Sequence, residues 1–338
     1  MPNGTLEVKG TIDLPQFWPN GTSDADTTKI SVSVGKNAFR FRPSPTKPWK
    51  TTKVFIDAEV VGKTRKPAID KNNKLTIRLK GIDAAELHYR PQPVLKKNDQ
   101  SANQHQVYLQ WNLDYRQHFG ETATVALYNL LSKAKKYPLK CTVVSQVDSP
   151  DDVFDTYGRM VGEIIVTING KRVNVNDWLL QEGWAFPTFY TSMTADEITH
   201  MTALSEKAKT KRLGIWGGFT RQIGKFDWSL VFRRKGAKVN AAADRGSVIL
   251  PKLFRRQSTY EVSKRSKMAS GSFHDYLAQH RDDLHTASDF LHQGPSAAIV
   301  QYLDELVAAN KLKVDPADLV FREMPSKLRS LKGGKIAW

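Results

Sequence analysis

Three charged side chains lie close together at the end of one predicted strand. Residues 75–79 alternate apolar and polar positions, a pattern typical of a strand with one buried face, and it places Arg78 on the polar side. Gly81 ends the alternation, so Asp83 and Glu86 are predicted on the segment that leaves the strand. An arginine can hold a phosphate, an aspartate can bind a hard cation, and a glutamate can accept a proton from water. These residue types suit phosphodiester hydrolysis, although most such triplets are solvated edge charges.

Two further motifs stand far from this strand in the sequence. Asp24 and Asp26 belong to an Asp-x-Asp-Thr turn, and Tyr157 and Arg159 belong to a Tyr-Gly-Arg turn. Taken alone, the first motif has an ordinary explanation, because aspartates stabilise turns through hydrogen bonds to the backbone. The glycine of the second motif frees the backbone where the arginine must be directed inward.

Strands and helices must bring these motifs together. Apolar alternation predicts strands at residues 6–14, 28–34, 75–79, 139–147 and 160–168. Apolar residues at helical spacing predict helices from residue 119, over residues 175–182, and over residues 194–212. Thr194 and Glu197 form the signature of a capping box at the start of the last helix.

The ordered set of motifs and elements resembles the staphylococcal nuclease (thermonuclease) family over about residues 6–217. The resemblance implies an α+β fold, in which helices pack on a five-stranded Greek-key β-barrel of the oligonucleotide-binding (OB) type. It also implies a Ca²⁺-dependent endonuclease that hydrolyses phosphodiester bonds of DNA, with RNA as a second candidate substrate, and leaves 3′-phosphate ends.

The family's roles then map onto matching positions of this sequence. The implied catalytic residues are Arg78, Glu86 and Arg159. The implied Ca²⁺ ligands are Asp26, Asp83 and the carbonyl oxygen of Ala84. The implied substrate-binding residues are Tyr157, Phe189 and Tyr190. In this assignment Glu86 is the general base and the two arginines hold the phosphate. Thr156 stands where the family often has a lysine, so one phosphate contact differs.

The sequence departs from the family at two insertions. Residues 35–73 contain ten basic and three acidic residues, a net charge of +7, and the insertion is predicted to hold strands at 38–42 and 54–61. It is either a surface that follows a nucleic-acid strand or a solvated extra hairpin. It also offers a second alignment, in which Glu59 replaces Asp26 as the metal ligand. Residues 88–118 are predicted to form a loop with a short strand near residues 107–111.

Composition bounds the partners and the domain count. The chain has 338 residues, with 51 Lys and Arg against 34 Asp and Glu, so its net charge of +17 favours a nucleic-acid partner over a membrane. Its single cysteine, Cys141, excludes an internal disulfide and a multi-cysteine zinc site. No secretory signal is visible, so we expect a cytoplasmic protein or one exported by a signal-independent route.

Length predicts two domains: a nuclease-like domain over residues 1–218 and a basic, mainly helical accessory domain over residues 219–338. Within the second, helices are predicted at 273–291 and 296–310. The basic stretch before them, which includes Arg255 and Arg256, is either a phosphate-binding arm or a solvated linker. Two rival functions stay open. One is a catalytically silent nucleic-acid-binding module, and the other is an architectural DNA-binding protein that uses the basic tail.

Overall fold

The computed structural model describes residues 3–33, 39–52, 58–61, 65–233, 244–296, 300–324 and 326–331. Its strands are β1 (Thr5–Ile12), β2 (Thr27–Val32), β3 (Phe39–Arg42), β4 (Lys50–Thr52), β5 (Ala58–Val61), β6 (Arg65–Pro67), β7 (Lys74–Leu79), β8 (Ile82–Ala84), β9 (Leu139–Gln146), β10 (Met160–Ile168), β11 (Lys171–Asn174), β12 (Ala185–Pro187), β13 (Phe189–Tyr190), β14 (Asp283–Thr286), β15 (Gln301–Tyr302), β16 (Val307–Ala308), β17 (Lys311–Leu312), β18 (Leu319–Phe321) and β19 (Lys327–Ser330). Its α-helices are α1 (Ala102–Trp111), α2 (Gly120–Ser132), α3 (Val175–Gln181), α4 (Ala195–Thr210), α5 (Pro251–Arg265), α6 (Phe273–Gln279) and α7 (Ala287–Gln293).

Five strands close into a barrel. β1 pairs with β2, β2 with β7, β7 with β10, β10 with β9, and β9 again with β1. Only the β7 and β10 pair among these five is parallel. Inward residues alternate with outward ones along β10, which buries every second side chain over most of its length. The closed α+β barrel is consistent with the predicted OB-type fold.

The helices that surround the barrel follow the sequence signals. Thr194 caps α4 in a capping box with Glu197, as predicted from those two residues. Asn174 caps α3 by accepting hydrogen bonds from two backbone amides of the first turn. Among the described residues, none of the helices is both long and apolar enough to cross a membrane.

The insertion at residues 35–73 adds strands to two different sheets. β3 pairs with β1 and β4, and so extends the barrel sheet. β5 pairs with β6 and with β19 near the end of the chain. Residues 39–42 of the predicted strand at 38–42 are therefore present as β3, and residue 38 lies outside the described residues. Of the predicted strand at 54–61, β5 is present and residues 54–57 lie outside the described residues.

The prediction of a loop with a short strand for residues 88–118 is wrong, because residues 102–111 form helix α1. Ser101 and Gln104 form a capping box at its start. Tyr108 is the buried residue of this helix, and it packs in a cluster with Phe254 and Val262 of α5. The helix shows little apolar periodicity because it touches the core at so few positions.

In its described part, the C-terminal region, residues 219–338, contains helices, as predicted, and also small sheets that the prediction of a mainly helical domain did not include. The predicted helix at 296–310 is instead β15 and the first strand of the β16–β17 hairpin. Ala309 and Asn310 both have positive φ, 51° and 54°, and form the two-residue turn of that hairpin. The predicted helix at 273–291 is divided by β14 into α6 and α7.

The C-terminal region packs against the barrel side of the chain. β18 pairs with β13, which lies between α3 and α4. Phe186 and Trp216 belong to the same buried cluster as Leu250 and Tyr260. Asp244 accepts hydrogen bonds from the amide and hydroxyl of Thr122 in the first turn of α2, at 2.8 Å each. The predicted domain boundary at residue 218 stays a prediction.

Candidate active site

The pairing of β2 with β7 brings Asp26 to Arg78. Thr27 lies opposite Arg78, and the Leu79 amide donates to the Asp26 carbonyl over 2.8 Å. Nη1 of Arg78 is 2.6 Å from Oδ2 of Asp26, and both side chains are 11% exposed. Arg78, on the polar side of β7, therefore forms a buried ion pair with Asp26 and is not a solvated edge charge.

Asp83 joins the pair after a tight turn. Gly81 has a φ of +75°, and a Cβ there would collide with α4, so the turn requires glycine. β8 pairs with β12 and holds Asp83 at 1% side-chain exposure. Oδ1 of Asp83 is 2.7 Å from Nη2 of Arg78, so one guanidinium bridges two buried carboxylates.

The backbone of Glu86 is fixed by the segment that begins α2. The Glu86 amide donates to Oε1 of Gln117 over 3.1 Å, and the Gln117 amide donates to the Glu86 carbonyl over 2.7 Å. A Cβ at Gly120 would collide with the same carbonyl, so α2 approaches this backbone closely. The side chain of Glu86 is 16% exposed, and it shares an ion-pair partner with Asp83 of the barrel.

That partner is Arg255, which lies in α5 of the C-terminal region. Its Nη2 is 2.9 Å from Oδ2 of Asp83, and its Nη1 is 3.2 Å from Oδ1. Nη1 also donates a hydrogen bond to Oε1 of Glu86. One guanidinium therefore joins the predicted metal ligand Asp83 to the predicted general base Glu86. We call Asp26, Arg78, Asp83, Glu86 and Arg255 the charged cluster.

Burial and the arginines act in opposite directions on these acids. Burial would raise the pKa of Asp83, but Arg255 and Arg78 outweigh it and hold the pKa at about 2. Burial raises the pKa of Glu86, and the charges of Asp83 and Asp26 add to this effect while Arg255 opposes it. Asp24 has a pKa of about 7, raised by burial and then by Asp26. Asp83 is thus ionised, whereas Glu86 is the better proton acceptor.

Arg159 reaches the charged cluster through a threonine. Oδ1 of Asp155 accepts hydrogen bonds from the amides of Tyr157 and Arg159, which fixes the Tyr-Gly-Arg turn. Nε of Arg159 is 2.7 Å from Oδ2 of Asp155, and its Nη1 is 3.2 Å from Oγ1 of Thr27. Thr27 in turn donates to Oδ1 of Asp26 over 3.0 Å.

The three predicted substrate-binding rings differ in exposure. Tyr157 is 52% exposed, with its ring centre 5.5 Å from the guanidinium carbon of Arg159. Phe189 is fully buried in β13, opposite Val320 of β18, so its ring does not face solvent in this arrangement. Tyr190 is partly buried, and its ring centre lies 6.2 Å from that of Phe321.

The alternative alignment through Glu59 places that residue in a different sheet. β5, which carries Glu59, pairs with β6 and β19, whereas β2 is the strand that lies beside β7. Glu59 accepts a hydrogen bond from Nε of Arg65 over 2.9 Å. Asp26, not Glu59, therefore contacts Arg78.

The donor chemistry at the cluster fits a hard cation, since Asp26, Asp83 and Glu86 all offer carboxylate oxygens. The arrangement, however, already engages five of their six oxygens: both of Asp26, both of Asp83 and one of Glu86. Consistent with this, no group of three or more His, Cys, Asp or Glu side chains in the described part of the chain is arranged to hold a metal ion. Arg255 therefore engages carboxylate oxygens that a cation at this position would use.

Arg255 is the residue of this site that the sequence did not reveal, whereas Thr27 belongs to the predicted Asp-x-Asp-Thr turn. The basic pair at 255–256 pointed to a phosphate-binding arm or a solvated linker. A signal for the helix was nevertheless present, because Pro251 at the first position of α5 is typical of a helix start, and neither glycine nor proline follows until Gly271. No local pattern indicates that Arg255 faces acids that lie about 170 residues earlier.

Fold and site together define an α+β barrel domain with a largely buried cluster of arginines and carboxylates. A family model described as staphylococcal nuclease homologue matches residues 76–218. Residues 76–218 are therefore a domain of the staphylococcal nuclease homologue family. The matched segment includes Arg78, Asp83, Glu86 and Arg159, whereas Asp26 and Arg255 lie outside it. A search of curated proteins finds none that matches the chain.

Proposed function

We propose that the protein is a Ca²⁺-dependent endonuclease that hydrolyses phosphodiester bonds of DNA, with RNA as a second candidate substrate, and leaves 3′-phosphate ends. Its family domain indicates a nuclease-like function related to nucleic acids. The observation that carries the proposal is the convergence of Arg78, Asp83 and Glu86, with Asp26, at one buried cluster. Phosphoryl transfer depends on placing cations and a base around one phosphate.

Glu86 is the general base in this proposal. Its raised pKa makes the carboxylate a stronger proton acceptor than an ordinary glutamate at neutral pH. The backbone contacts with Gln117 hold Glu86 in place while its side chain accepts the proton from water. Arg78 and Arg159 donate to the phosphate oxygens and offset the charge that develops there.

Asp26, Asp83 and the Ala84 carbonyl would hold Ca²⁺, which supplies positive charge next to the phosphate when bound. Asp26 and Asp83 carry the oxygens, but they share them with the arginines in the present arrangement. Tyr157 would contact a phosphate of the substrate, and its exposure beside Arg159 supports this role.

The nucleic-acid partner is supported by charge and by the insertion. The chain carries a net charge of +17. In the insertion, the guanidinium carbons of Arg40 and Arg42 lie 4.4 Å and 4.9 Å from the ring centre of Trp49. Stacked arginine and tryptophan side chains suit both phosphates and bases of a single strand.

A second candidate function is a catalytically silent nucleic-acid-binding module. The observation that favours it is Arg255, which engages both the candidate base and a candidate metal ligand. A silent module would retain these ion pairs for stability alone and bind nucleic acid without cutting it.

The test is cleavage of single-stranded DNA, double-stranded DNA and RNA by the full chain, with Ca²⁺, Mg²⁺ or a chelator, followed by mapping of the new ends. Glu86→Gln should lower the rate by about 100-fold or more, because a general base contributes at least that much. Glu59→Gln is the matched control and should retain the rate. Binding without cleavage by the unaltered chain would favour the silent module, and loss of cleavage in Glu59→Gln alone would reverse the alignment.

A further inference from the structure

Arg255 contacts the two acids on which the proposed nuclease depends most. It forms ion pairs with Asp83 and with Glu86, and it comes from α5, outside the segment that matches the nuclease family. We propose that Arg255 competes with Ca²⁺ for these carboxylates and keeps the site latent until the metal displaces it. This inference rests on the proposed function and names how the same site is regulated.

The charges of the cluster support competition by a cation. Asp26, Asp83 and Glu86 contribute three negative charges when ionised, and Arg78 contributes one positive charge, so the barrel side alone has a net charge of −2. Arg255 reduces this to −1, and a divalent cation in its place would bring it to zero. Because Asp83 is almost fully buried, it needs a compensating cation in either state.

The geometry of Arg255 suits an exchangeable group. Its side chain is 28% exposed, so it lies at the rim of the buried cluster. The helix around it is anchored separately: Lys252 and Arg256 both form ion pairs with Asp282, at 3.1 Å and 2.8 Å, and Phe254 is buried. The Arg255 side chain can therefore rotate away from Asp83 while α5 stays packed.

Arg255 would also have a new partner after its release. A guanidinium at the rim of a nuclease site would pair with a substrate phosphate once it has left Asp83. Nucleic acid and Ca²⁺ would then favour the same open arrangement, so each should strengthen the binding of the other. Latency in the absence of both ligands follows from the fold, with no further partner.

Ca²⁺ binding by calorimetry tests the competition without requiring catalysis. In the full chain, Arg255→Gln should bind Ca²⁺ at least about 10-fold more tightly than the unaltered protein, within the range typical of coupled sites. Arg256→Gln, one position along the same helix, is the matched control and should change the affinity by less than about two-fold. Equal Ca²⁺ affinity in Arg255→Gln and the unaltered chain overturns the proposal, as does the absence of Ca²⁺ binding in both.

Two additions keep the result interpretable. If Arg255→Gln does not fold, Arg255→Lys decides the question, because lysine keeps the charge and loses the bidentate geometry. It should bind Ca²⁺ with intermediate affinity, and an unchanged affinity in that variant would overturn the competition. In Arg255→Gln, millimolar methylguanidinium should weaken Ca²⁺ binding again; no such effect would argue against a guanidinium competitor.

Cleavage assays then separate this proposal from the proposed function. With limiting Ca²⁺ and saturating substrate, which offsets the loss of a phosphate contact, Arg255→Gln should cut faster than the unaltered chain. Tighter Ca²⁺ binding without any cleavage would refute the nuclease and leave the competition intact. A loss of cleavage at unchanged Ca²⁺ affinity would instead make Arg255 a catalytic residue and overturn its role as a competitor.

Discussion

Asp244 connects the C-terminal region to the helix that supports Glu86, and its replacement tests how tightly the two are coupled. The side chain is 1% exposed, accepts two hydrogen bonds from Thr122, and forms an ion pair with Arg116. It therefore caps α2 from a position more than 120 residues away in the sequence. Asp244→Ala removes all three interactions without adding bulk.

The expected loss can be estimated from these contacts. A missing helix cap costs about 1 kcal/mol. Breaking a buried ion pair by removing one partner costs about 3–5 kcal/mol, but Arg116 keeps Glu121, whose Oε1 lies 3.3 Å from its Nε. We therefore expect Asp244→Ala to lower the free energy of unfolding by about 2–4 kcal/mol. Asp244→Asn keeps an oxygen for the Thr122 amide and should cost about 1–2 kcal/mol.

Urea denaturation followed by circular dichroism measures both free energies. Asp99→Ala, an exposed aspartate elsewhere on the chain, is the control and should change stability by less than about 0.5 kcal/mol. If Asp244→Ala changed the free energy of unfolding as little as this control, the reasoning would be refuted, because Asp244 would not stabilise α2 in solution.

Two further predictions concern α5 and the buried ring of β13. Burial would raise the pKa of Asp282, but the charges of Lys252 and Arg256 outweigh burial and lower it. The ionised Asp282 therefore stabilises the fold above pH ~4, and this stabilisation is lost as the pH falls further. The stability difference between the unaltered chain and Asp282→Asn, measured by urea unfolding, should therefore shrink between pH 6 and about pH 3, and a constant difference would contradict this. Phe189→Ala should lower the free energy of unfolding by about 3–5 kcal/mol, since it leaves a cavity in the core; weaker oligonucleotide binding at unchanged stability would instead restore Phe189 as a base contact.

The barrel could be predicted from the sequence because its strands are both periodic and bounded by recognisable turns. β10 begins and ends at the predicted residues, and β2 and β7 differ from their predicted bounds by one or two. The sequence left Asp26 and Glu59 as alternative partners of this site, and the pairing of β2 with β7 places Asp26 beside Arg78. Local patterns were sufficient here because the inward-facing residues of the barrel strands are nearly all buried.

Local patterns failed where an element touches the core through few residues. α1 buries Tyr108 alone, so its sequence is rich in Gln and Asn and gives no apolar stripe. The prediction for the segment at 301–312 is wrong for the opposite reason. Its apolar residues have helical spacing, but Ala309 and Asn310 adopt left-handed backbone conformations and form the turn of a hairpin. In both cases tertiary contacts, and not the local sequence, decide the structure.

Arg255 illustrates a third limit, which bears directly on function. Its charge was visible, yet a charge in a basic segment predicts a phosphate partner as readily as an internal one. Arg78 is the one arginine that the barrel provides to both Asp26 and Asp83, so these buried acids lack one positive charge. This deficit of positive charge exists only in the folded site, and it favours an internal partner for Arg255. In the latent state that we propose, Arg255 neutralises this deficit, and a cation that binds the same carboxylates would have to replace it. The basic C-terminal region is therefore better described as a part of the site than as an appendage to it.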